Sequence, residues 1–532
     1  FYATGAWTGS IDNVSVKEYT SADMDVTRAT AATRVDENGL VNYAEVLGGE
    51  EVTNGDFATA DLSSFSTTYA TQEIVSEELK VTLNTAYGYG FSFVTFTAIV
   101  GKSYKILFSA KQGTSTGTRI ITLSGLTLTA SGTTTGDWSY EGIGVATATT
   151  CQFRLQLYGV SGDYAFFDNV SVKQVDRDNV PRIDYTGGGC PHILAEPQRT
   201  NLVTYSEDFS QSSWLKVGSS IISNSINSPS GNLTASTLKE DTSNGYHQIY
   251  TTNLLTSVIG NYYTYSFYAK ANTRTKVNGL LQIPSINNVE FDLSNGTATI
   301  ISGAPVFSIT NVGNNWYRCV MTALANSAGT VYINTILNNG TNYIYQGDGT
   351  SSAYIWGAQF EEGSYPTSYI PTSGSTVTRN QDIFTRDGIG SLINSTEGVL
   401  FVEMAALSDD LTNRSITISD GTTNNIIQIL FSSVSNTIRF IIRVGGVGGD
   451  NLDKTTTSYT VTNFNKVALK WEQNNAQVWI NGTQLGLPDT NSDVPTGLND
   501  LSFEYLTVGN NFYGKVKQLQ VYDTSLTDNQ LI

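Results

Sequence analysis

The chain has 532 residues, of which only 14% are charged, and its formal net charge is −18. Ordinary soluble domains contain roughly 25% charged residues. The acidic balance argues against a nucleic-acid partner, because no basic stripe is present to neutralise phosphates. The sequence also lacks an apolar run near the roughly 20 residues that cross a bilayer, so no membrane insertion is expected.

Cysteine and histidine are scarce, which limits metal and nucleophile chemistry. The three cysteines (Cys151, Cys190 and Cys319) lie far apart, and the chain has two histidines. An odd number of cysteines without CxxC spacing indicates neither a disulfide framework nor a zinc site. The many Thr, Ser, Asn and Gly residues, with 29 Tyr and 22 Phe, favour short strands and turns. The sequence therefore predicts an all-β, acidic, extracellular-type structural or binding protein of three or four domains.

The chain opens with FYATGAWTGSIDNVSVKEY, and this pattern returns at Leu157–Val175. Residues 1–19 therefore look like the closing hairpin of a truncated β-sandwich. In the second copy, a period of two predicts one shared face for Phe166, Asp168, Val170 and Val172. Asp12 takes the same place in the first copy. An aspartate on an apolar face costs several kcal/mol unless it is hydrogen-bonded or metal-bound.

Composition and turn signals divide the remainder of the chain into sandwiches and connectors. The predicted segments are a connector at 20–47, a sandwich at 48–175, a Pro/Gly-rich connector at 176–200, a second sandwich at 201–363, a connector at 364–396 and a last jelly roll at 397–532. Ile259–Lys270 repeats Val100–Lys111, which indicates that the two sandwiches arose by duplication. In this alignment Trp356 stands where the first sandwich has Asp168.

Three groups of motifs resemble known families. The strings GKVKQLQVYDTSLTDNQL and KVALKWEQNNAQVWINGTQLG resemble laminin G-like (concanavalin A-like) jelly rolls. The NGDF turn and the closing FFDNVSVK are similar to carbohydrate-binding-module jelly rolls. The connectors DVTRATAATRV, VPRIDYTGGGCPHILAEPQRTNL and IWGAQFEEGSYPTSYIPT resemble segments of bacteriophage tail-fibre and head-fibre proteins. The connectors around the first sandwich look contiguous in such proteins, so residues 26–47 and 176–200 are expected to pack together.

The resemblance implies a structural calcium ion in the first sandwich. In the carbohydrate-binding modules, the aspartate of the closing strand and groups beside the NGDF turn hold Ca²⁺, which takes carboxylate and carbonyl oxygens. Here these positions are Asp168 and Asp56. The alternative is that Asp168 accepts backbone N–H groups at the sandwich edge. Trp356 makes calcium doubtful in the second sandwich.

Exposed aromatic rings are the candidate sugar platforms. Tyr87 and Tyr89 in AYGYG, with Tyr246, His247 and Tyr250 in NGYHQIY, lie in loop-like contexts. The alternative for each is ordinary packing in the sandwich. Four tryptophans in periodic strands are instead expected in the core: Trp214, Trp316, Trp471 and Trp479.

The sequence contains no clear catalytic constellation. Glycosidases need two carboxylates that flank the scissile bond, and the nearest match, Glu290-Phe291-Asp292, lacks a final Glu. Asp409-Asp410 lies in a polar loop. The sequence contains no G-x-S-x-G, H-E-x-x-H or P-loop motif. We therefore expect a protein that is not an enzyme.

By resemblance, the expected function is that of a phage virion protein (a tail fibre, head fibre or capsid decoration protein) that displays glycan-binding sandwiches. Its expected partners are other virion proteins and a host cell-surface glycan, and it is expected on the virion surface as a homo-oligomer, by resemblance a trimer. Two alternatives remain open at this point: a depolymerase that cuts surface polysaccharide, and an architectural spacer without sugar binding.

Overall fold

The computed structural model describes residues 24–84, 87–115, 117, 119–127, 136–251, 254–446, 452–505 and 510–531. The predicted hairpin at residues 1–19, with Asp12, lies outside this range. The described residues form 42 β-strands, one 3-10 turn and one α-helix of four residues. The prediction of an all-β protein built from jelly-roll sandwiches is confirmed. Within the described residues, no helix combines the length and apolarity needed to span a membrane.

The chain divides into two compact units, of which the larger comprises Arg28–Ile193 and Gln198–Gln381. This unit contains both duplicated sandwiches. Strand β1 (Asp25–Thr27) precedes this unit. The strands that follow, up to the end of the first sandwich, are β2 (Thr33–Val35), β3 (Val41–Tyr43), β4 (Val46–Glu50), β5 (Phe65–Thr68), β6 (Ala70–Val75), β7 (Glu78–Leu83), β8 (Tyr89–Thr97), β9 (Ser103–Gln112), β10 (Arg119–Ser124), β11 (Trp138–Val145), β12 (Thr150–Tyr158) and β13 (Tyr164–Asp176).

Two antiparallel sheets form the first sandwich. One has the order β10-β12-β8-β5, and the other has the order β11-β9-β13-β7-β6, with β4 paired to the end of β13. Alternate residues of each strand point inward, as the period of two requires. The core between the sheets includes Val94, Phe108, Phe153 and Phe167.

The second sandwich repeats this strand order. Its elements and the preceding connector strands are β14 (Ile183–Asp184), β15 (His192–Ala195), β16 (Arg199–Asn201), β17 (Leu215–Val217), β18 (Ser219–Ile226), β19 (Ala235–Glu240), β20 (Asn244–Gly245), β21 (Gln248–Thr251), β22 (Tyr262–Ala271), β23 (Lys276–Ile283), β24 (Ser285–Asp292), β25 (Thr297–Ser302), β26 (Val306–Asn311), β27 (Trp316–Leu324), β28 (Tyr332–Asn338), β29 (Tyr345–Gln346) and β30 (Ser352–Glu362).

Its two sheets have the orders β25-β24-β23-β28-β21-β17 and β26-β27-β22-β30-β19-β18. Strands β23, β28, β21 and β17 correspond to β10, β12, β8 and β5, and strands β27, β22, β30, β19 and β18 correspond to β11, β9, β13, β7 and β6. Between the counterparts of β10 and β11, the second sandwich has three additional strands, β24–β26, and elsewhere it has the short additional pair β20 and β29. This shared order supports the predicted duplication.

The closing strand of each sandwich contains a β-bulge at the same place. In β13 the pairing with β9 shifts between Asp168 and Ser171, and Asn169 has a left-handed backbone with φ 54°. In β30 the pairing with β22 shifts at Gly357, which has φ 62°. A bulge inserts one residue and changes which face the following side chains occupy.

This bulge corrects the predicted face of β13. Phe167, Val170 and Val172 are buried in the core, whereas Phe166 and Asp168 lie on the outer face of the sheet. The single period of two predicted the wrong face for Asp168, because the inserted Asn169 changes the alternation in the middle of the strand.

The connector segments of this unit are ordered and contact one another. The backbone N–H of Tyr185 donates to the carbonyl of Val35 at 3.0 Å, and Asp184 Oδ2 accepts from the N–H of Val35 at 2.9 Å. The buried Arg28 guanidinium donates to the Val180 carbonyl at 2.8 Å. These contacts confirm that the two connector segments pack together, as the sequence predicts.

The smaller unit contains the C-terminal region from Asp382 onward, with Leu194–Pro197 and strand β1. Its further elements, with β31 (Val377–Arg379) from the preceding connector, are β32 (Ile383–Arg386), a 3-10 turn (Gly390–Leu392), β33 (Glu397–Ala406), β34 (Arg414–Ser419), β35 (Ile426–Phe431), β36 (Ile438–Arg443), β37 (Leu452–Thr456), β38 (Asn465–Glu472), β39 (Gln477–Ile480), β40 (Thr483–Gln484), β41 (Asp500–Ser502), β42 (Gly514–Tyr522) and α1 (Asp528–Leu531).

One sheet of this unit has the order β1-β32-β41-β34-β35-β36-β37, and the strands β42-β33-β38-β39-β40 lie side by side in the other. Strand β35 contacts β38, so the two sheets pack face to face. Asn481 and Gly482 connect β39 to β40 with φ values of 48° and 77°, as a type I′ turn requires. The four tryptophans predicted in the cores, here and in the second sandwich, are all buried.

Candidate glycan-binding face

The outer face of sheet β10-β12-β8-β5 in the first sandwich carries a row of aromatic side chains. Tyr89, Phe91 and Phe93 alternate along β8 with the inward residues Gly90, Ser92, Val94 and Phe96. The ring centroids of Phe91 and Phe93 are 5.9 Å apart. These three side chains point away from the core, but Phe91 is only 8% exposed, so Tyr89 and Phe93 are the partly exposed rings of this aromatic surface.

Strand β12 places hydrogen-bonding groups beside that row. Its outward residues oppose those of β8 in register, so Tyr158 lies opposite Tyr89, Gln156 opposite Phe91 and Arg154 opposite Phe93. The Arg154 guanidinium lies over the Phe91 ring, 5.0 Å from its centroid. It also donates to the side-chain carbonyl of Gln152. We name this surface the aromatic face; its residues are Tyr89, Phe91, Phe93, Gln152, Arg154, Gln156 and Tyr158.

Two exposed tyrosines extend the aromatic face at one end. Tyr87 is 70% exposed and Tyr69 is 40% exposed. The Tyr69 ring lies 4.6 Å from that of Tyr87 and 5.7 Å from that of Tyr89, measured between centroids. Tyr89 in turn lies 5.9 Å from Tyr158. The four rings form one cluster, which brings the predicted Tyr87 and Tyr89 together with two tyrosines that sequence analysis missed.

The backbone at this end of the aromatic face is held in an unusual conformation. Tyr69 has φ 56°, a left-handed geometry that costs a non-glycine residue about 1–3 kcal/mol. Its carbonyl passes over Gly90, where an added Cβ would lie only 2.4 Å from that oxygen. Gly90 therefore permits the close crossing that places the Tyr69 ring beside Tyr87.

The equivalent outer face of the second sandwich carries amides. Asn338 donates to Asn278 at 2.9 Å, and Asn278 donates to Asn288 at 2.8 Å. Asn334 donates to Gln248 at 2.9 Å. Each of these hydrogen bonds joins two amide side chains of this face, so the groups that make them are already engaged within the protein.

The predicted residues in this second sandwich have different surroundings. Tyr246 is 38% exposed and lies 6.0 Å from the Tyr343 ring, and Tyr250 is half-buried beside the amides, opposite Asn334. His247 is fully buried: its Nδ1 lies 2.6 Å from the Gly218 carbonyl oxygen, and its Nε2 lies 3.2 Å from that of Tyr345. The prediction that His247 contacts sugar is therefore wrong, because its buried ring lies between the backbone carbonyls of Gly218 and Tyr345.

The carboxylates considered for hydrolysis already have protein partners. Glu290 accepts from Lys276 at 2.7 Å and from Asn338 at 2.9 Å. Asp292 caps the following turn through the N–H of Ser294 at 2.9 Å. In the C-terminal unit, Asp409 accepts from Ser435 at 2.5 Å, and Asp410 accepts from Arg414 at 2.9 Å.

The predicted calcium ligands lie near the bulge of β13. Asp168 is half-buried and accepts from the N–H and the side-chain amide of Asn169 at 2.7 and 3.0 Å. Burial raises the pKa of its carboxyl above the usual value, and the nearby Glu78 and Asp56 contribute to the increase. The NGDF turn reaches this strand through Gly55, whose carbonyl accepts from the Val170 N–H at 2.8 Å.

These residues do not form a carboxylate-rich metal cluster. Ca²⁺ takes six to eight oxygen ligands, and the described residues contain no group of three or more His, Cys, Asp or Glu that could hold a metal ion. Backbone carbonyls would have to supply most of the ligands. Calcium binding at Asp168 and Asp56 therefore stays a prediction.

Comparisons with known proteins leave the family open. No family model matches the chain, and no curated protein matches it. Among solved structures, it is similar to the N-terminal CBM22-1–CBM22-2 tandem domain of Xyn10C from Paenibacillus barcinonensis, with 11% identity and a TM-score of 0.21 over 60% of this chain and 98% of that one. It is also similar to domains LG4-5 of the mouse laminin alpha1 chain, with 11% identity and a TM-score of 0.19 over 53% and 86%. At these scores neither likeness contributes to the functional argument.

Proposed function

We propose that this protein is a non-enzymatic glycan-binding protein and that the aromatic face of the first sandwich is its binding surface. The observation that carries the proposal is the juxtaposition of a row of outward aromatic rings with amide and guanidinium groups. Aromatic rings stack on the apolar faces of sugars, while amides and Arg hydrogen-bond to hydroxyls. A surface that offers both kinds of group can bind the apolar face and the hydroxyls of one sugar at the same time.

The biological setting that we propose is the surface of a bacteriophage virion. The connector motifs resemble those of phage tail-fibre and head-fibre proteins, and this resemblance supports a role in attachment to a bacterial surface polysaccharide. Single shallow glycan sites bind weakly. Copies on one particle raise the effective concentration, so avidity can exceed the affinity of one site by roughly 10²–10⁴.

A glycan array probed with the full chain tests the proposal. We expect binding to bacterial surface polysaccharide, and we expect the double variant Tyr87→Ala/Tyr89→Ala to lose at least about tenfold in affinity, which corresponds to about 1.4 kcal/mol. Tyr262→Ala is the matched control, because Tyr262 is a 44% exposed tyrosine on β22 of the other sandwich. Its affinity should equal that of the unmodified chain.

Two results would replace the proposal with one of the alternatives. New reducing ends after incubation with the bound polysaccharide would indicate a depolymerase. No binding to any glycan, or equal binding by the double variant and the control, would remove the aromatic face as a site. The spacer interpretation would then account for the sandwiches.

A further inference from the structure

Strand β26, the last of the three strands β24–β26, forms an edge of the second sandwich that lacks the usual protection against pairing. Strand β26 is the last strand of its sheet, and no strand within the described part of the chain pairs with its outer side. Its six residues pair with β27 in unbroken register from Val306 to Asn311. It is thus a regular strand with one row of backbone donors and acceptors available for another strand.

Three other edge strands in the described part of the chain carry features that discourage such pairing. Strand β6 has the exposed Glu73, β37 has Asp453 and Lys454, and β18 has a register break between Ile222 and Ile226. Charged side chains and bulges are the usual ways in which edges are protected from intermolecular pairing. Strand β26 has neither feature.

The surface around β26 is apolar and uncharged. Val306 is 71% exposed and Phe307 is 36% exposed, and on the neighbouring β25 Ile300 and Ile301 are 42% and 43% exposed. Residues 293–317 contain no Asp, Glu, Lys or Arg, although the chain as a whole carries a net charge of −18. Two copies of so acidic a chain repel each other over most of their surfaces. They can approach at this neutral edge without that penalty.

We infer that β26 is a self-association edge, where it pairs antiparallel with β26 of a second copy of this chain. A twofold axis between Ser308 and Ile309 joins the two sheets into one, satisfies the free backbone groups and covers Val306 and Phe307. The occupant is a second copy because an antiparallel strand is complementary to itself and the uncharged segment suits a like-charged partner. This inference is independent of glycan binding.

Sedimentation velocity of the full chain over a range of concentrations tests the inference. We expect a dimer of the 57.5 kDa chain, and we expect Phe307→Lys to raise its dissociation constant at least about tenfold, since lysine on an edge strand opposes pairing. Ile222→Lys is the matched control. Ile222 is 52% exposed and lies on the opposite, bulged edge of the same sheet, and its substitution should leave the dimer unchanged.

Hydrogen exchange of the unmodified chain supplies a readout that does not depend on a variant. Amides in 306–311 should become more protected as the concentration rises, while those in 219–226 should not change. A monomer at all concentrations, a trimer that Phe307→Lys leaves intact, or equal weakening by Ile222→Lys would each overturn the inference.

Discussion

The first and second sandwiches share a strand order and a bulged closing strand, yet they use the outer face beside the bulge in opposite ways. In the first, Asp168 pairs with Ser109 and stays half-buried. In the second, Trp356 pairs with Tyr268, and both are buried against Tyr369 and Val41 from the connectors. The duplicated fold therefore constrains the inward residues and the bulge. The outer faces have diverged, one towards an open surface and the other towards a second small core.

Truncation of Trp356 is expected to cause the largest difference in stability between the two sandwiches. Its indole N–H donates to Thr234 at 3.0 Å, and its ring lies 4.6 Å from that of Tyr369. Trp356→Ala should lower the free energy of unfolding by about 3–5 kcal/mol, because a buried aromatic side chain leaves a cavity. Urea denaturation measures this loss.

Asp168→Ala, at the equivalent position and in calcium-free buffer, is the control and should cost within about 0.5 kcal/mol, as surface substitutions usually do. Similar losses for the two variants would show that the outer face of the second sandwich contributes no more to stability than that of the first.

A smaller difference between the two sandwiches should appear in the pH dependence of their stability, through the turn that precedes each core. The first sandwich has Gly55 in its NGDF turn, whereas the second has Glu207, which accepts from the Tyr369 hydroxyl at 3.0 Å. Burial raises the pKa of Glu207 above its usual 4.5. The folded state thus favours the protonated form, so its contribution to stability is complete below about pH 4.5 and falls as the pH rises through the raised pKa.

Glu207→Gln should therefore raise the melting temperature at pH 7 and lose this advantage near pH 4. The neighbouring Asp208 supplies a control of opposite sign. Hydrogen bonds from Gln211 and Ser210 lower its pKa, so Asp208→Asn should lower stability at pH 7. Calorimetry at pH 4 and pH 7 measures both. A Glu207→Gln variant that is less stable at pH 7 would contradict the assigned direction.

Much of the fold could be predicted because the inward residues alternate. In β9 (Ser103–Gln112) and β12 (Thr150–Tyr158), buried residues alternate with partly exposed ones over most of the strand, which is the period that a sequence reveals. The repeat of Val100–Lys111 in Ile259–Lys270 indicates the duplication from the sequence alone. Strand β11 (Trp138–Val145) is harder to recognise in the sequence, because its mixed burial pattern gives no clear period.

The candidate site was harder to predict because strand β8 is apolar on both faces. Tyr89, Phe91 and Phe93 look like core positions, yet Val94 and Phe96 of the other parity face inward. Tyr69 and Tyr158 join the cluster only through tertiary packing. His247 looks exposed because NGYHQIY resembles a loop, but its ring hydrogen-bonds to carbonyls distant in sequence. Local patterns do not contain such contacts.

The smallest expected effect concerns calcium at the bulge of the first sandwich. Asp168 lies near Asp56 and Glu78, whose charges help to raise its pKa. A cation would relieve that repulsion, whereas Trp356 leaves no carboxylate at the same place in the second sandwich. Chelation should therefore lower the melting temperature through the first sandwich alone, by about 2–4 °C if the ion contributes roughly 1 kcal/mol.

Differential scanning calorimetry with and without a chelator measures this shift, and added Ca²⁺ should reverse it. Asp168→Ala should abolish the response, while Asp292→Ala, which removes a turn-capping carboxylate in the second sandwich, should retain it. If the unmodified chain melts at the same temperature with and without chelator, Asp168 binds no calcium. The two hydrogen bonds from Asn169 would then be its whole role, and the two closing strands would differ only in what covers them.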